Sequence, residues 1–264
     1  MPSDPMPLSN VIKDRAYSAY ENQLEKEVKE GVMPKHIAVI MDGNRRYAKE
    51  ILGADPIEGH RLGREKLDEV LHWCLDLNSP VLTFSAFSTE NFNRAEEEVE
   101  YLMDLLEKSL YDFAEDPEVH KFEVAIRVIG DHDMLPERVI KAMEYASERT
   151  KGYNGRTLNM AIAYGGRQDI AMTVRSIAQD VLDGKLSVND INEYLISSRV
   201  STFGLPDHDL VIRTSGEVRI SNFLLWQIAY SELYFTDVFW PGFRYIDLLR
   251  AIRTYQKRMR RFGE

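Results

Sequence analysis

Residues 36–48 read HIAVIMDGNRRYA: an apolar run from His36 to Met41 passes without a spacer into Asp42-Gly43-Asn44-Arg45-Arg46-Tyr47-Ala48. The run is continuously apolar rather than alternating, as in a strand covered on both faces. A carboxylate stands at its tip, and a glycine follows where backbone must come close to a ligand. If a helix begins near Asn44, its free N–H groups, its dipole and two guanidinium forks converge on an anion with several oxygens, such as a diphosphate. Beside a diphosphate, Asp42 makes chemical sense chiefly with a divalent cation between them, and Mg²⁺ takes one or two carboxylates plus phosphate oxygens. Asp-Gly alone reads as a helix cap with solvated arginines beside it. The complete run after an apolar strand favours a ligand site, though not the Gly-rich, Lys-Ser/Thr loop of nucleotide hydrolases.

Outward from this stretch, five more β-rich runs follow: Val81 to Phe87, Val124 to Gly130, Thr157 to Tyr164, Asp209 to Thr214 and Glu232 to Thr236. Between them lie apolar positions at helical spacing, such as Leu67, Val70, Leu71 and Cys74, or Val99, Leu102, Met103, Leu106 and Leu110. Strand and helix alternate. The expected fold is therefore an α/β one, an open, mainly parallel six-stranded sheet flanked by helices, with its ligand site beyond the carboxyl ends of the strands. The first 33 residues are polar and helix-forming and read as an appended arm, and residues 34–264 as one domain.

Composition narrows the function. A hydrophobic fraction of 44% is that of an ordinary globular chain. A net charge of -10 argues against nucleic acid or anionic lipid as a broad partner, so any basic site must be local. Cys74 has no second cysteine to pair with, and its apolar stripe makes it a buried thiol in a reducing, cytoplasmic setting. The opening MPSDPMPLSN lacks the form of a signal peptide, and no apolar run has the length of a membrane span.

Two more clusters close strands. Phe87-Ser88-Thr89-Glu90-Asn91-Phe92-Asn93-Arg94 mixes hydroxyls, an acid, amides and an arginine with aromatics, which suits a cleft for an amphiphilic substrate, although a surface turn has a similar composition. Arg213-Thr214-Ser215-Gly216-Glu217-Val218-Arg219-Ile220-Ser221-Asn222 flanks a glycine turn with two arginines and repeats the anion-binding physics of the first cluster. Two anion pockets imply two phosphorylated substrates. His132, between Asp131 and Asp133, reads as a turn rather than a metal site, because no further ligand has matching spacing.

In this order, Asp42-Gly43-Asn44-Arg45-Arg46, Phe87-Ser88-Thr89-Glu90-Asn91, Ile212-Arg213-Thr214-Ser215-Gly216-Glu217 and Leu233-Tyr234-Phe235 closing on Trp240-Pro241 resemble the motifs of the cis-prenyltransferase family, from about Pro34 to the end. The resemblance implies condensation of isopentenyl diphosphate with an allylic prenyl diphosphate to a Z-polyprenyl diphosphate, a precursor of glycosyl-carrier lipids. It makes Asp42 the carboxylate that holds Mg²⁺. Gly43, Asn44, Arg45, Arg46, Tyr47 and His60 then hold the allylic substrate, and Arg213, Arg219, Ile220 and Ser221 hold isopentenyl diphosphate. Asn91, catalytic with Asp42, positions the isopentenyl group amid Ser88, Thr89, Glu90, Phe92 and Arg94, and Glu232 joins the metal across a dimer interface. The stripe from Val99 to Leu110, core by default, lines a hydrophobic product tunnel in the family. A homodimer is implied by Glu232 together with the Arg261-Phe262-Gly263 tail, and product release implies peripheral contact with a membrane surface.

Three positions depart from the bacterial pattern: Pro56 stands where many members have an arginine, Val218 replaces a histidine and Arg45 a glycine. The loop Glu50 to Ile57 is also one residue longer. Pro56 keeps open an acceptor other than isopentenyl diphosphate. A non-catalytic partner subunit is disfavoured because Asp42, Arg46, Arg213 and Arg219 are all present. An aspartyl-phosphate phosphatase is weaker still, for want of a second aspartate two residues after Asp42.

Overall fold

The computed structural model describes the backbone from residue 8 to residue 262 and side chains from residue 17 to residue 259. In chain order its elements are α1 (Leu8–Glu30), β1 (His36–Ile40), α2 (Asn44–Tyr47), which continues as a π-helical turn over Ala48–Leu52, α3 (Pro56–Asp76), β2 (Val81–Ser88), α4 (Glu96–Glu115) and α5 (Pro117–Lys121). Then come β3 (Val124–Ile129), α6 (Glu137–Arg149), β4 (Arg156–Tyr164), α7 (Gly166–Leu182), α8 (Glu193–Ser197), β5 (Leu210–Arg213), β6 (Glu232–Phe235) and α9 (Tyr245–Phe262). All six runs read as β-rich are strands.

The strands form one sheet in the order β3-β4-β2-β1-β5-β6, and every neighbouring pair is parallel. β1 lies inside the sheet and all five of its residues are buried, which is why its sequence is apolar without alternation. The order reverses around β1, whose neighbours are β2 and β5, so the carboxyl end of β1 is a switch point where a crevice opens.

The described residues fall into two compact units, Lys35–Phe243 and the segments before and after it. In the second unit α1 and α9 are tied together by Gln256, whose Nε2 donates to the Val28 carbonyl at 2.9 Å, and by Arg250 over the Tyr20 ring at 5.8 Å. The sequence alone places the end of the arm beside this boundary; the grouping of α9 with α1 was not readable there, since periodicity gives each helix a face but not its partner.

Local chemistry sets the elements around β1. Asp55 caps α3, its carboxylate accepting the Ile57 N–H at 2.9 Å, and Pro56 occupies the first helical turn, where a missing N–H costs nothing. That gives Pro56 a structural reason independent of any ligand. The Asp131-His132-Asp133 run is a 3₁₀ turn capped by Asp131. Cys74 is buried, and burial pushes its thiol up to about 12, far from a nucleophile's range.

Two glycines let α2 lie on α3. A Cβ at Gly59 would meet the Asn44 carbonyl oxygen at 2.0 Å, and one at Gly63 would meet the Asn44 amide oxygen at 2.4 Å. Gly63→Ala is therefore expected to destabilise the protein by roughly 1–3 kcal/mol through overpacking, measured by urea unfolding. An unchanged midpoint would show that Asn44 moves aside freely.

At the amino end of β1, His36 stacks on His208 with ring centroids 3.6 Å apart, both buried. His36 bonds the Pro206 carbonyl and Thr83 Oγ1, each at 2.7 Å, whereas neither ring nitrogen of His208 has a partner. Burial holds His36 down at about 4, and burial together with its neighbour holds His208 at about 2. Below pH 6.5 the unfolded chain takes up protons that the folded one refuses, so stability is full above that pH and falls as pH drops toward 4. The expected loss is roughly 1 kcal/mol per pH unit for each histidine. His208→Phe should flatten the decline, and an equal slope in the variant would rule the pair out as its cause.

Candidate active site

The crevice at the carboxyl ends of β1, β2 and β5 holds a cavity of about 580 Å³, within the size range of small-ligand sites. Its polar part is lined by Asp42, Asn44, His60, Ser88, Glu90, Asn91, Arg94, Arg213, Arg219 and Ser221, its apolar part by Leu67, Leu102, Leu105, Leu106 and Trp240. A second cavity of about 500 Å³ shares Asp42, Asn44, His60 and Arg94 and adds Gly43, Arg45, Arg46, Lys49 and Pro56. The three motif clusters, scattered over 180 residues of chain, thus meet at one place.

Asp42 sits at the tip of β1 because Thr214, at the tip of β5, holds its backbone from both sides. Thr214 Oγ1 accepts the Asp42 N–H at 2.9 Å and donates to the Asp42 carbonyl at 2.7 Å. The carboxylate is paired with Arg213, whose Nη2 donates to Oδ2 at 2.7 Å, and Arg46 lies 3.6 Å from Oδ1. Burial works against the Asp42 charge, but the hydrogen bond and charge of Arg213, with Arg46 behind, outweigh it and hold the carboxyl below its ordinary range. Gly43 takes φ 101, a conformation open to glycine, and a side chain there would strike Phe239 and Ser215.

Arg213 is 4% exposed and also donates through Nη1 to the Arg219 carbonyl at 2.5 Å and to Ser221 Oγ at 2.7 Å. Arg46 donates to Ser215 Oγ at 2.5 Å, pairs with Glu217 at 3.1 Å and lies over the Phe239 ring. Glu217 also pairs with Arg219. One carboxylate therefore joins an arginine of the first cluster to an arginine of the third.

On β2's side, Asn91 Oδ1 accepts the Ser88 N–H at 3.0 Å, which leaves its amide NH₂ as the group available to a ligand. Asn222 Nδ2 donates to Glu90 at 3.0 Å and links this cluster to the third. Phe92 packs edge-on against Phe87 with centroids 4.8 Å apart, and Phe92, Thr89 and Tyr47 line neither cavity. Tyr47 instead meets Phe239.

Glu98 is absent from the residues read out of the sequence, and yet two arginines and a histidine converge on its Oε1. Arg94 is at 2.7 Å, His60 Nε2 at 3.0 Å and Arg45 at 3.8 Å. Burial works against its charge too, but His60, Arg94 and Arg45 keep Glu98 ionised below the ordinary range. His60 itself is lowered by burial first, with Glu98 pulling it back up. The sequence signal was present, since Arg94 and Glu98 stand four apart at a helix start, but that spacing marks many surface pairs as well.

Glu232 opens β6 in register with Leu210, which in turn pairs with Ile37. It thus stands five positions of strand before Asp42, roughly 16 Å back along the strand direction and two strands across, at the amino end of the sheet. One chain does not bring the two carboxylates together. Among the described residues no group of three or more His, Cys, Asp or Glu is placed to hold a metal.

The comparisons agree with this geometry. Residues 40–263 match the prenyltransferase family model described as "Putative undecaprenyl diphosphate synthase". The chain is 54% identical over 247 residues to a tritrans,polycis-undecaprenyl-diphosphate synthase (geranylgeranyl-diphosphate specific) of Methanopyrus kandleri, covering 94% of this chain and 91% of the relative. A synthase of the same name from Thermococcus kodakarensis is 52% identical over 256 residues, 97% of each chain. Among solved structures, lavandulyl diphosphate synthase from Lavandula x intermedia in complex with dimethylallyl diphosphate superposes with a TM-score of 0.80 at 35% identity, over 85% of this chain and 95% of that one. With its strand-tip aspartate, its paired arginine clusters and an apolar depth behind them, the chain belongs to the undecaprenyl diphosphate synthase family, the cis-prenyltransferases that build Z-polyprenyl diphosphates.

Proposed function

We propose that this enzyme extends geranylgeranyl diphosphate by successive condensation with isopentenyl diphosphate, the primer being the one for which its relatives in Methanopyrus kandleri and Thermococcus kodakarensis are named. The observation that carries it is the pair of arginine-lined anion sites that share Asp42 and open on one cavity with an apolar depth. The allylic diphosphate is assigned to Gly43, Asn44, Arg45, Arg46 and His60, and isopentenyl diphosphate to Arg213, Arg219 and Ser221. Its hydrocarbon enters along Leu67, Leu102, Leu105 and Leu106, a tunnel of the family kind.

The donor set around Asp42 suits Mg²⁺, a hard cation that takes one or two carboxylates with phosphate oxygens making up the rest. Asp42 would hold it, and when bound it would neutralise charge developing on the departing diphosphate. The arginines share that task, preorganised by Ser215, Ser221 and Glu217. The allylic C–O bond breaks with its electron pair leaving on the diphosphate; the isopentenyl double bond attacks the cationic carbon, and a proton is then lost to leave a cis double bond. Asn91 is a poor base. With its Oδ1 occupied by Ser88, it orients through its NH₂, and a diphosphate oxygen takes the proton.

An acceptor other than isopentenyl diphosphate loses its motive, because Pro56 has a helix-starting role and Lys49 and Arg45 put cations on the same cavity. A homodimer is proposed from Glu232, which stands at the end of the sheet opposite Asp42 and would join a metal held there only across an interface with a second chain. The Arg261-Phe262-Gly263 tail lies outside the residues whose side chains are described. Among the described residues no helix is long and apolar enough to cross a membrane, and a long-chain product favours peripheral contact with its surface. The cytoplasmic assignment rests on the lone, buried Cys74.

Incubation with Mg²⁺, labelled isopentenyl diphosphate and each of dimethylallyl, geranyl, farnesyl and geranylgeranyl diphosphates is expected to give a ladder of longer products, strongest with geranylgeranyl diphosphate. Chelation should abolish it and added Mg²⁺ restore it, and Asp42→Ala should lower turnover by at least about 10²–10³-fold. Absence of incorporation from every primer would defeat the proposal. In a separate NMR titration, Glu98→Gln should lower the His60 midpoint further, since the carboxylate is what opposes burial and the neighbouring arginines. An unmoved midpoint would remove Glu98 from that role.

A further inference from the structure

Among the described residues seven other than glycine take positive φ, and four of these, Ser215, Ser221, Asn222 and Leu224, fall in one short segment after β5. Of the four, only the asparagine adopts that conformation readily. Strain of this kind persists where neighbours over-determine it, and it gathers at ligand sites. The neighbour here is the start of α7, which opens on Gly165 and Gly166 with no capping side chain of its own. Asn222 caps it from 55 residues away in sequence. Its carbonyl accepts the Gly166 N–H at 2.6 Å, and its Oδ1 accepts the Arg167 N–H at 2.9 Å, so two donors that the helix leaves over are satisfied by one residue.

With both oxygens of Asn222 given to α7, its amide nitrogen is the group that reaches across the crevice, donating to Glu90 Oε1 at 3.0 Å. Glu90 belongs to the 3₁₀ turn Thr89–Asn93, which also carries Asn91. Burial works against the Glu90 charge, but its own backbone N–H and the Asn222 amide outweigh it and hold the carboxyl below its ordinary range. On the other side, Asn222 follows directly on Ser221, whose Oγ accepts from Arg213. Asn91, Ser221 and Asn222 all line the main cavity. The carboxamide therefore stands between two site-forming turns, with a helix of 17 residues behind it.

We propose that Asn222 is a positioning residue for isopentenyl diphosphate: its carboxamide, anchored on α7, fixes the span between the Ser221 turn that takes the diphosphate and the Asn91 turn that meets the isopentenyl group. This rests on the substrate assignment proposed above. Isopentenyl diphosphate is short, and its head group and double bond meet different turns at the same time. A misplacement of about 1 Å between those turns can cost about 10²-fold in rate. The allylic diphosphate, assigned to residues on the other side of Asp42, does not depend on this span.

A reversal of the hydrogen bond tests it. Asn222→Asp keeps the size of the side chain and the acceptor for the Arg167 N–H, and a carboxylate at a helix N-terminus is itself favoured, so the cap survives. The same change sets a second carboxylate against Glu90. Adding Glu90→Gln restores a donor facing an acceptor, with the polarity reversed. Parent, both single variants and the double variant are assayed with Mg²⁺, geranylgeranyl diphosphate and labelled isopentenyl diphosphate, each substrate varied in turn. Asn222→Asp is expected to lower kcat/KM for isopentenyl diphosphate by about tenfold or more while the KM for geranylgeranyl diphosphate stays within about twofold, and the double variant to regain at least about fivefold. A double variant no better than the two single effects multiplied, or a KM for geranylgeranyl diphosphate that rises in step, overturns the proposal. If circular dichroism shows Asn222→Asp unfolded, Glu90→Ala decides in its place: it leaves the α7 cap intact and must reproduce the selective loss for isopentenyl diphosphate, and an unaltered kcat/KM overturns the proposal. A parent that incorporates no isopentenyl diphosphate from any primer overturns the functional assignment and this role with it, which is distinguishable from an active parent whose double variant shows no rescue.

Discussion

The ion pair between Asp42 and Arg213 is the constraint around which the active site is arranged. Arg213 is nearly inaccessible to solvent, and its Nε is buried without a partner, so its charge depends on what the other nitrogens find. They find the Asp42 carboxylate, the Ser221 hydroxyl and the Arg219 carbonyl. A buried charge stripped of its partner costs about 3–5 kcal/mol, which ties the end of β1, the end of β5 and the turn after β5 into one arrangement. Thr214 adds the backbone half of the same clamp. The arginines proposed to hold the two diphosphates are therefore set in the ligand-free protein, the condition under which electrostatic stabilisation of a departing diphosphate is most effective.

Around this clamp the site keeps its cations apart from one another by interleaving carboxylates. Glu217 stands between Arg46 and Arg219, and Glu98 among Arg94, His60 and Arg45. On the proposed assignment these acids occupy, in the ligand-free protein, the arginines and the histidine that a diphosphate would claim. Such an arrangement holds a cluster of positive charge together in a chain whose overall charge is negative, and it confines the basic field to the crevice.

The apolar depth and the polar mouth share a scaffold. α4 carries Glu98 at the mouth and Leu102, the Leu105-Leu106 pair and Ser109 deeper in, at successive turns of the helix. α3 carries His60, then Arg64 and Leu67 in the same sense. On the proposed assignment, substrate head group and hydrocarbon meet successive turns of the same two helices.

What the sequence by itself determined is local and near-local. Continuous apolar runs pointed to strands of a doubly covered sheet, Asp-Gly-Asn-Arg-Arg after such a run to an anion site, and the motif order to the family. Which of these residues meet was decided by the tertiary structure. Asp42 and Arg213 are 171 residues apart and pair because β1 and β5 are neighbours in a sheet whose order no periodicity reveals. Glu232 was assigned to the metal across a dimer interface, and that it stands at the end of the sheet opposite Asp42 within one chain was set by the parallel register, since a residue's position along a strand depends on pairing partners rather than on its own neighbours. Glu98 and Arg64 went unread for a similar reason. An ionisable residue on a helix face looks solvated until another helix, brought in from far along the chain, turns that face into the wall of a cavity.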